Sequence, residues 1–570
     1  MKNIDYVTID GIPVALEGEK NLLEVIRKAG IKMPTFCYHS ELSIYGACRM
    51  CVIEDERGRI DAACSAQPWP GMVIRTNTEK LRKHRKMILE LILANHCRDC
   101  TTCQSNKDCK LQALASRFHI EGVRFPNTAS EPDKDASSLC IVKDNSKCIL
   151  CGDCVRVCNE VQGVGAIDFG YRGSKMKIST AFDIPLAESE CVGCGQCAAA
   201  CPTGAIVVKS CQNQLWKDIS NPDIKVTAQI APAVRVAVGR EFGLPDDGSS
   251  MGKIVAALHR MGFDEVYDTS TAADLTVLEE ANELLARIEK GGADMPLFTS
   301  CCPAWVNFCE KNHPELLPHV STCRSPMQMF ASVIHEQNAS VSSRKAVHVA
   351  IMPCAAKKAE AQRDEFKTNG EPNVDYVVTT QELIRMIRES GIVFAELEAE
   401  AVDSAFGVTT GAGVIFGVTG GVTEAVLRRI SSDKSSAGLR TIAMRGVRGM
   451  EGLKEAEISV DGKDLRIAVV SGLKNTSDLI AKIKSGEQHY DFVEVMACPG
   501  GCVSGAGQPY VPDEQKAKRG LGLYASDKMM SIKRSEENPL VIGLYNGLLK
   551  GRVHELLHVS YDKKEVHSHD

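Results

Sequence analysis

Nineteen of the 25 cysteines in this 570-residue chain stand at spacings suited to metal clusters, and each set dictates which segments must meet in space. Eighteen cysteines precede residue 212 and seven follow it. A disulfide framework belongs to small exported domains, so ligation is the better account of so many thiols in a long chain. The late cysteines constrain the fold most. They lie in three motifs, Thr299-Ser-Cys-Cys-Pro-Ala-Trp305, Met352-Pro-Cys-Ala-Ala-Lys-Lys-Ala-Glu360 and Glu494-Val-Met-Ala-Cys-Pro-Gly-Gly-Cys502. Each follows a β-like apolar run: Pro296–Phe298, Ala346–Ile351 and Phe492–Val495. Open α/β sheets build their sites at the carboxyl ends of strands. Three such loops could gather Cys302, Cys354, Cys498 and Cys502 around one iron–sulfur cube, which takes four thiolates.

The formal net charge of −6 is modest and gives no general affinity for nucleic acid or anionic membranes. No apolar run is long enough to span a bilayer. MKNIDYVTID carries no signal-peptide core and no twin-arginine stretch, so the expectation is a cytoplasmic protein.

Residues 1–79 read as a β-grasp domain. Tyr6–Ile9 and Ile12–Leu16 flank Asp10-Gly11, a hairpin signal, and Asn21–Ala29 has helical spacing before Gly30. Cys37, Cys48, Cys51 and Cys64 follow, with ten residues in the first gap where plant-type ferredoxins have four. Residues 80–125 carry His96, Cys100, Cys103 and Cys109 after a helical run, Lys80–Asn95, whose apolar positions are Leu81, Met87, Ile88, Leu91 and Ile92. One imidazole and three thiolates suit zinc as well as a cluster. Cys97 beside the histidine is left out of the set. Lys80, Arg82, Lys83, Arg85 and Lys86 form a basic cluster on this run, either a docking patch or simply a solvated face.

Residues 138–210 hold an internal repeat: Cys148, Cys151, Cys154 and Cys158 recur as Cys191, Cys194, Cys197 and Cys201. This C-x2-C-x2-C-x3-C pattern is that of two-cluster bacterial ferredoxins, in which the fourth cysteine of each run ligates the other cluster. One cube then takes Cys148, Cys151, Cys154 and Cys201, and the other Cys191, Cys194, Cys197 and Cys158. Asn159 stands where proline usually follows the first run.

From residue 212 to 510, strand-like runs (Thr227–Ile230, Val234–Val238, Ala346–Ile351, Val374–Thr379, Ile467–Ser471, Phe492–Val495) alternate with helix-like ones (Met251–Met261, Ala273–Lys290, Gln381–Ser390, Val422–Ile430). This is α/β order with parallel sheet. Residues 511–570 read as a charged linker followed by helices near Asn538–Lys550 and Val553–His558. The fold class is therefore multidomain α/β and α+β.

Taken in order, these segments resemble the monomeric, ferredoxin-linked [FeFe]-hydrogenases, whose three signature segments match the late motifs. The resemblance implies a β-grasp [2Fe–2S] domain, a His-ligated [4Fe–4S] domain shared with the large peripheral subunit of respiratory complex I, a two-[4Fe–4S] ferredoxin domain, an H-cluster domain and a small-subunit-like helical tail. It implies the reaction 2H⁺ + 2e⁻ ⇌ H₂. Its H-cluster is a cube on Cys302, Cys354, Cys498 and Cys502, with Cys502 bridging to a di-iron unit that bears CO, CN⁻ and an azadithiolate. Lys357 would pair with a cyanide. Ala231, Pro232, Ser325, Met352, Phe416 and Met496 would line the di-iron cavity. Partners implied are ferredoxin or a similar low-potential carrier, and maturation proteins for the di-iron unit.

Glu280, Glu283 and Arg287 share one stripe of a predicted helix, which by composition alone is a solvated face. The resemblance reads it otherwise, as a proton relay through Cys301, Glu280, Ser321, Glu283 and Arg287. Two positions depart from the family: Ala506 replaces a usual glycine and Met327 a usual glutamine. Cys140, Cys211, Cys309 and Cys323 read as free thiols. Other classes stay open at this point: an electron-transfer subunit without hydrogen chemistry, a cluster-assembly relative, and a bifurcating or sensory hydrogenase with a partner's flavin.

Overall fold

The computed structural model describes residues 5–128, 133–245, 247–291, 295–341, 344–368, 370–444, 446–460 and 462–561. Residues 1–4 of the expected β-grasp segment and 562–570 of the tail lie outside the described residues. By contact the chain divides into two compact units, residues 1–160, 165–189 and 200–207 in the first and 161–164, 190–199 and 208–570 in the second.

The first unit opens with a five-stranded sheet in the order Ile12–Ala15, Tyr6–Ile9, Val73–Arg75, Val52–Asp55, Ile60–Ala62. Asp10 and Gly11 make its first turn with φ of 51° and 87°. Two-residue hairpins need positive φ at both central positions, which is why Asp-Gly stands there. The helix Leu22–Lys28 packs Leu22, Leu23, Val25 and Ile26 into this domain's core, and Asn21 caps it by accepting from the Glu24 N–H.

The next helix spans Glu79–Ala94, close to expectation, but its buried face is not the expected one. Leu81, Arg85, Leu89 and Ala94 are buried, while Met87 and Leu91 are 46% and 48% exposed. Arg85 therefore leaves the basic surface cluster. Its guanidinium donates to the Met50 and Val52 carbonyls at 3.1 and 2.6 Å, closing backbone acceptors that no water reaches. Lys80, Arg82, Lys83 and Lys86 remain exposed.

The second unit holds two four-stranded sheets. One is wholly parallel, in the order Glu265–Asp268, Ile224–Ile230, Lys345–Met352, Tyr376–Thr379. The other runs Leu297–Phe298, Phe492–Met496, Lys463–Ser471, Leu453–Val460, with only the last strand antiparallel. Parallel strands buried on both faces read as continuous apolar runs, which made them legible. Val234–Val238 is an exception: it is fully buried but coiled, because Pro232 starts a tight turn, Pro232–Val234, that the chain continues instead of extending.

The expected linker after residue 511 is instead a long helix, Asp513–Met529. Its charged surface hid the helical pattern, but a buried ion network holds it. Arg428 on the helix Gly421–Ile430 donates to both Asp527 carboxylate oxygens at 3.0 and 2.7 Å and to Glu424 at 2.6 Å. Arg448 closes the network on Glu424. Removing one member of a buried ion set leaves its partners charged and unpaired, at a cost of about 3–5 kcal/mol. Arg428→Met should therefore sharply raise hydrogen exchange and proteolysis within Asp513–Met529, measured by mass spectrometry, while the exchange of Leu22–Lys28 stays unchanged.

Candidate active site

Five loops of the second unit meet at the carboxyl ends of parallel strands. Ala231 and Pro232 follow Ile224–Ile230, Thr269 follows Glu265–Asp268, and Pro353 and Cys354 follow Lys345–Met352. Cys301 and Cys302 follow Leu297–Phe298, and Ala497 and Cys498 follow Phe492–Met496. With Met327, Lys357, Phe416, Met496 and Cys502 they line one apolar cavity of about 90 Å³. A cavity for one water needs only about 10–15 Å³, so this is room for a larger group.

Cys302 is the N-cap of the helix Pro303–Asn312; its sulfur accepts from the Ala497 N–H at 3.4 Å. Cys302, Cys354, Cys498 and Cys502 all line this one cavity. Lys357 is buried, and its ammonium donates to the Glu360 carboxylate at 2.7 Å and the Cys301 carbonyl at 3.3 Å. Burial works against its charge, but Glu360 more than offsets that and keeps it above its ordinary value. The Ser325 hydroxyl and both polar ends of Gln328 are buried without hydrogen-bond partners, beside the lining residues Pro326 and Met327. Such orphans cost about 1–3 kcal/mol each unless something is bound there.

A line of polar groups leads away from Cys301. Burial, and then the charge of Glu280, push the Cys301 thiol well above its ordinary range, so it holds its proton. Glu280 is fully buried and accepts from the Ser300 N–H at 3.4 Å. Burial, and then the charge of Glu283, push its carboxyl up to about 8. Ser321 donates its single hydroxyl proton to Glu283 at 2.9 Å, leaving a lone pair for a protonated Glu280. Glu283 pairs with Arg287 at 2.7 Å. The helix Ser270–Glu289 thus carries a buried face as well as a partly exposed one.

Comparison with known proteins settles the class. Residues 224–506 match the family described as iron only hydrogenase large subunit, C-terminal domain, and residues 513–564 the iron hydrogenase small subunit. Residues 6–79 match a 2Fe-2S cluster binding domain, 85–124 the NADH-ubiquinone oxidoreductase-G iron-sulfur binding region, and 147–205 a 4Fe-4S dicluster domain. The chain is 40% identical to the NADP-reducing hydrogenase subunit HndD of Solidesulfovibrio fructosivorans, over 98% of this chain and 99% of that one. The chain belongs to the iron-only hydrogenase family. This hydrogenase is also 34% identical to iron hydrogenase 1 of Clostridium pasteurianum, over 98% of this chain and all of that one. Among solved structures, [FeFe]-hydrogenase HydA1 from Chlamydomonas reinhardtii is 36–37% identical, and one such structure covers 62% of this chain and 99% of its own with a TM-score of 0.53. Hydrogen and proton redox is the family's chemistry, and no helix among the described residues is long and apolar enough to cross a membrane.

The first unit of the hydrogenase gathers its own thiols. The Cys37 sulfur accepts from the Cys48 N–H at 3.3 Å and the Cys48 sulfur from the Phe36 N–H at 3.4 Å, while Cys51 and Cys64 are buried in the β-grasp core. His96 follows the helix Glu79–Ala94 with Nε2 buried and unpartnered, as a metal ligand's would be before binding. Its Nδ1 lies 3.1 Å from the Arg98 N–H; ligation through Nε2 puts a proton on Nδ1, so that contact must then open. A side chain at Gly204 would stand 2.6 Å from the Cys103 sulfur, so glycine alone leaves that thiol room. Cys148, Cys151, Cys154 and Cys201 line a second void, of about 20 Å³, as the interleaved repeat requires. Among the described residues no three His, Cys, Asp or Glu side chains gather as closely as a single ion needs. Thiols around voids suit polynuclear clusters better.

One residue escaped the sequence reading. Gln196, in the second unit, donates its amide to the Cys498 sulfur at 3.0 Å. Nothing in the repeat pattern marks it, since it falls between two cysteines whose spacing took all the attention. Of the unassigned thiols, Cys309 and Cys323 are buried, Cys140 likewise, and Cys211 is half-buried with its sulfur donating to the Val377 carbonyl.

The buried acid Glu280 has a measurable signature. Its folded-state carboxyl is raised to about 8, so folding takes up a proton between the ordinary carboxyl range and that value. The stability it allows is intact at low pH and falls as pH rises from about 4.5 to about 8. Glu280→Gln has no charge to bury and should gain on the native protein across that window, by on the order of a few kcal/mol at its upper end. Denaturation midpoints of the unmatured protein at pH 5 and pH 8 check this (pH values chosen to sit at about the two ends of the window).

Proposed function

We propose that this chain is an [FeFe]-hydrogenase that interconverts protons and H₂ in the cytoplasm, exchanging electrons with ferredoxin or a similar low-potential carrier. The observation that carries the reading is the cavity where Cys302, Cys354, Cys498 and Cys502 meet beside buried Lys357. These four thiols would hold the cube of an H-cluster, with Cys502 as the bridging ligand. The bound H-cluster supplies the metal site at which H₂ is made or split. Lys357 offers a buried ammonium to a cyanide, and Ser325 a free hydroxyl. Ala231, Pro232, Met352, Phe416 and Met496 wall the cavity against water.

The cysteine sets of the first 210 residues support one [2Fe–2S] and three accessory [4Fe–4S] clusters, the second of the four held by His96, Cys100, Cys103 and Cys109. In the remaining pair, Cys158 and Cys201 would exchange places between the two cysteine runs. Loading the di-iron unit requires maturation proteins. The name of the 40% relative favours a second reading, in which the chain is a subunit of an NADP-reducing assembly. Copurification from its native cell with a flavoprotein partner would support that reading over a free-standing ferredoxin enzyme.

Cys301, Glu280, Ser321, Glu283 and Arg287 would move protons between the cavity and the surface. Cys301→Ser should lose most turnover, by about a hundredfold, while its infrared spectrum shows an assembled H-cluster, because a hydroxyl is a far weaker acid than a thiol. Cys301→Asp should keep more. Near-native turnover in the serine variant would remove Cys301 from the path.

The basic surface of Glu79–Ala94, now Lys80, Arg82, Lys83 and Lys86, is the candidate dock for an acidic ferredoxin. Lys83 pairs with Glu79 at 2.8 Å in a fully solvated geometry, so it remains available to a partner at little cost. Replacing Lys83 and Lys86 with Glu should raise the apparent KM for ferredoxin several-fold at low salt, an effect that fades as salt screens it. Turnover with a small dye should not change. An unaltered ferredoxin KM would place the dock elsewhere.

A further inference from the structure

The relay proposed above ends on Arg287, and a guanidinium cannot give up its proton in a protein. It can fix the orientation and charge of Glu283, but it is not an exchange point with solvent. Glu283 has a second set of partners that can exchange. Its Oε2 accepts from the Thr322 N–H at 3.1 Å and from the Thr322 hydroxyl at 3.4 Å. That same hydroxyl lies 2.9 Å from Nδ1 of His558. The other imidazole nitrogen, Nε2, lies 3.0 Å from Glu279, whose second oxygen accepts from the Tyr545 hydroxyl. The ring of His554, on the exposed side, lies tilted at 46° with its centroid 4.5 Å from that of His558.

This contact is built rather than incidental. Val559 N–H donates to the Thr322 carbonyl and Arg324 N–H to the Leu557 carbonyl, both at 2.8 Å, so the C-terminal segment is bonded along Thr322–Arg324 on both sides of His558. Arg324 also donates Nε to the His558 carbonyl at 2.9 Å. Burial alone would raise the Glu279 carboxyl, but its hydrogen bonds to His558 and Tyr545 more than offset that and keep it ionised. The charged and titratable groups facing His558 are thus Glu279, Tyr545, His554, Arg324 and, beneath it, Cys323, with Glu283 across Thr322 and Arg429 beyond Tyr545.

We infer that His558, delivered by the C-terminal segment, is the exchangeable surface end of the proton relay, joined to Glu283 through the Thr322 hydroxyl. This rests on the relay reading of Glu283. In the outward direction, a proton on Glu283 passes to the Thr322 oxygen as the Thr322 proton moves to Nδ1 of His558. The imidazole becomes imidazolium beside ionised Glu279. The Nε2 proton then passes by way of ionised Glu279 to solvent, and transfer of the remaining proton from Nδ1 to Nε2, with rotation of the Thr322 hydroxyl, restores the starting state. The inward direction reverses each transfer. Imidazole is the side chain that makes this exchange near neutrality, and its two nitrogens let Glu279 hold one while the other works.

The test uses the full-length, matured enzyme with a small dye as electron partner. His558→Gln should slow turnover about tenfold or more and change its pH profile. His558→Ala should be similarly slow and regain turnover when imidazole is added to the buffer. Thr322→Val should behave as His558→Gln without rescue. Independently of activity, histidine-labelled unmatured protein should show an imidazole resonance, absent in His558→Gln, whose chemical shift changes in Glu279→Gln. Unchanged turnover and pH profile in both His558 variants overturns the inference, as does slow turnover with neither a changed profile nor rescue, which marks a structural role alone. Glu283→Gln separates the two readings: if it stays active, the relay itself falls; if it is inactive while the His558 variants are normal, only the outlet falls.

Discussion

The seven-residue parallel register between Ile224–Ile230 and Lys345–Met352 carries the second unit, because it sets Ala231 and Cys354 at the same end of neighbouring strands. Parallel pairing aligns chain direction, so every loop that leaves a carboxyl end leaves on one side. The second sheet repeats the device with Leu297–Phe298 and Phe492–Met496, which deliver Cys302 and Cys498. A slip of one residue in either register would turn a ligand loop's flanking side chains to the opposite face. The cavity therefore depends on backbone pairing laid down well away from any cysteine.

Around that frame, the interior spends its polar groups sparingly. Glu494, fully buried on the strand before Cys498, accepts from the Gly420 and Thr423 N–H groups at 2.6 and 2.8 Å and from the Thr423 hydroxyl at 2.9 Å. Asp274 likewise gathers Thr410, Ser535 and Asn538. Glu494 ties the start of the helix Gly421–Ile430 to its own strand, and Asp274 ties the helix Ser270–Glu289 to the segments at Thr410, Ser535 and Asn538. Ser325 and Gln328, by contrast, lack partners beside the lining residues Pro326 and Met327.

Much of this was legible beforehand because cysteine spacing and buried parallel strands both leave unambiguous marks. The ligand loops, the hairpin at Asp10-Gly11 and the helix Met251–Met261 fall where the pattern puts them. What failed has physical causes. Arg85 is charged yet buried, because two backbone carbonyls need a donor there. Asp513–Met529 shows little amphipathic pattern because its burial is achieved partly through ions, including Asp527 against Arg428. Val234–Val238 is apolar enough for a strand, but Pro232 and local burial turn it. Gln196 could not be found by spacing at all, since a hydrogen bond to a distant sulfur has no sequence period.

Gln196 also bears on how modules of this kind can be exchanged. Its amide touches Cys498, 302 positions along the chain, and it belongs with the second unit although it lies inside the ferredoxin-like repeat. The boundary in sequence and the boundary in space therefore disagree by two segments, Val161–Val164 and Glu190–Ala199. Cutting the repeat out at its sequence borders would remove with it the amide that donates to the Cys498 sulfur. Cluster modules in such chains are less like beads on a string than like tiles whose edges are cut into the neighbouring piece.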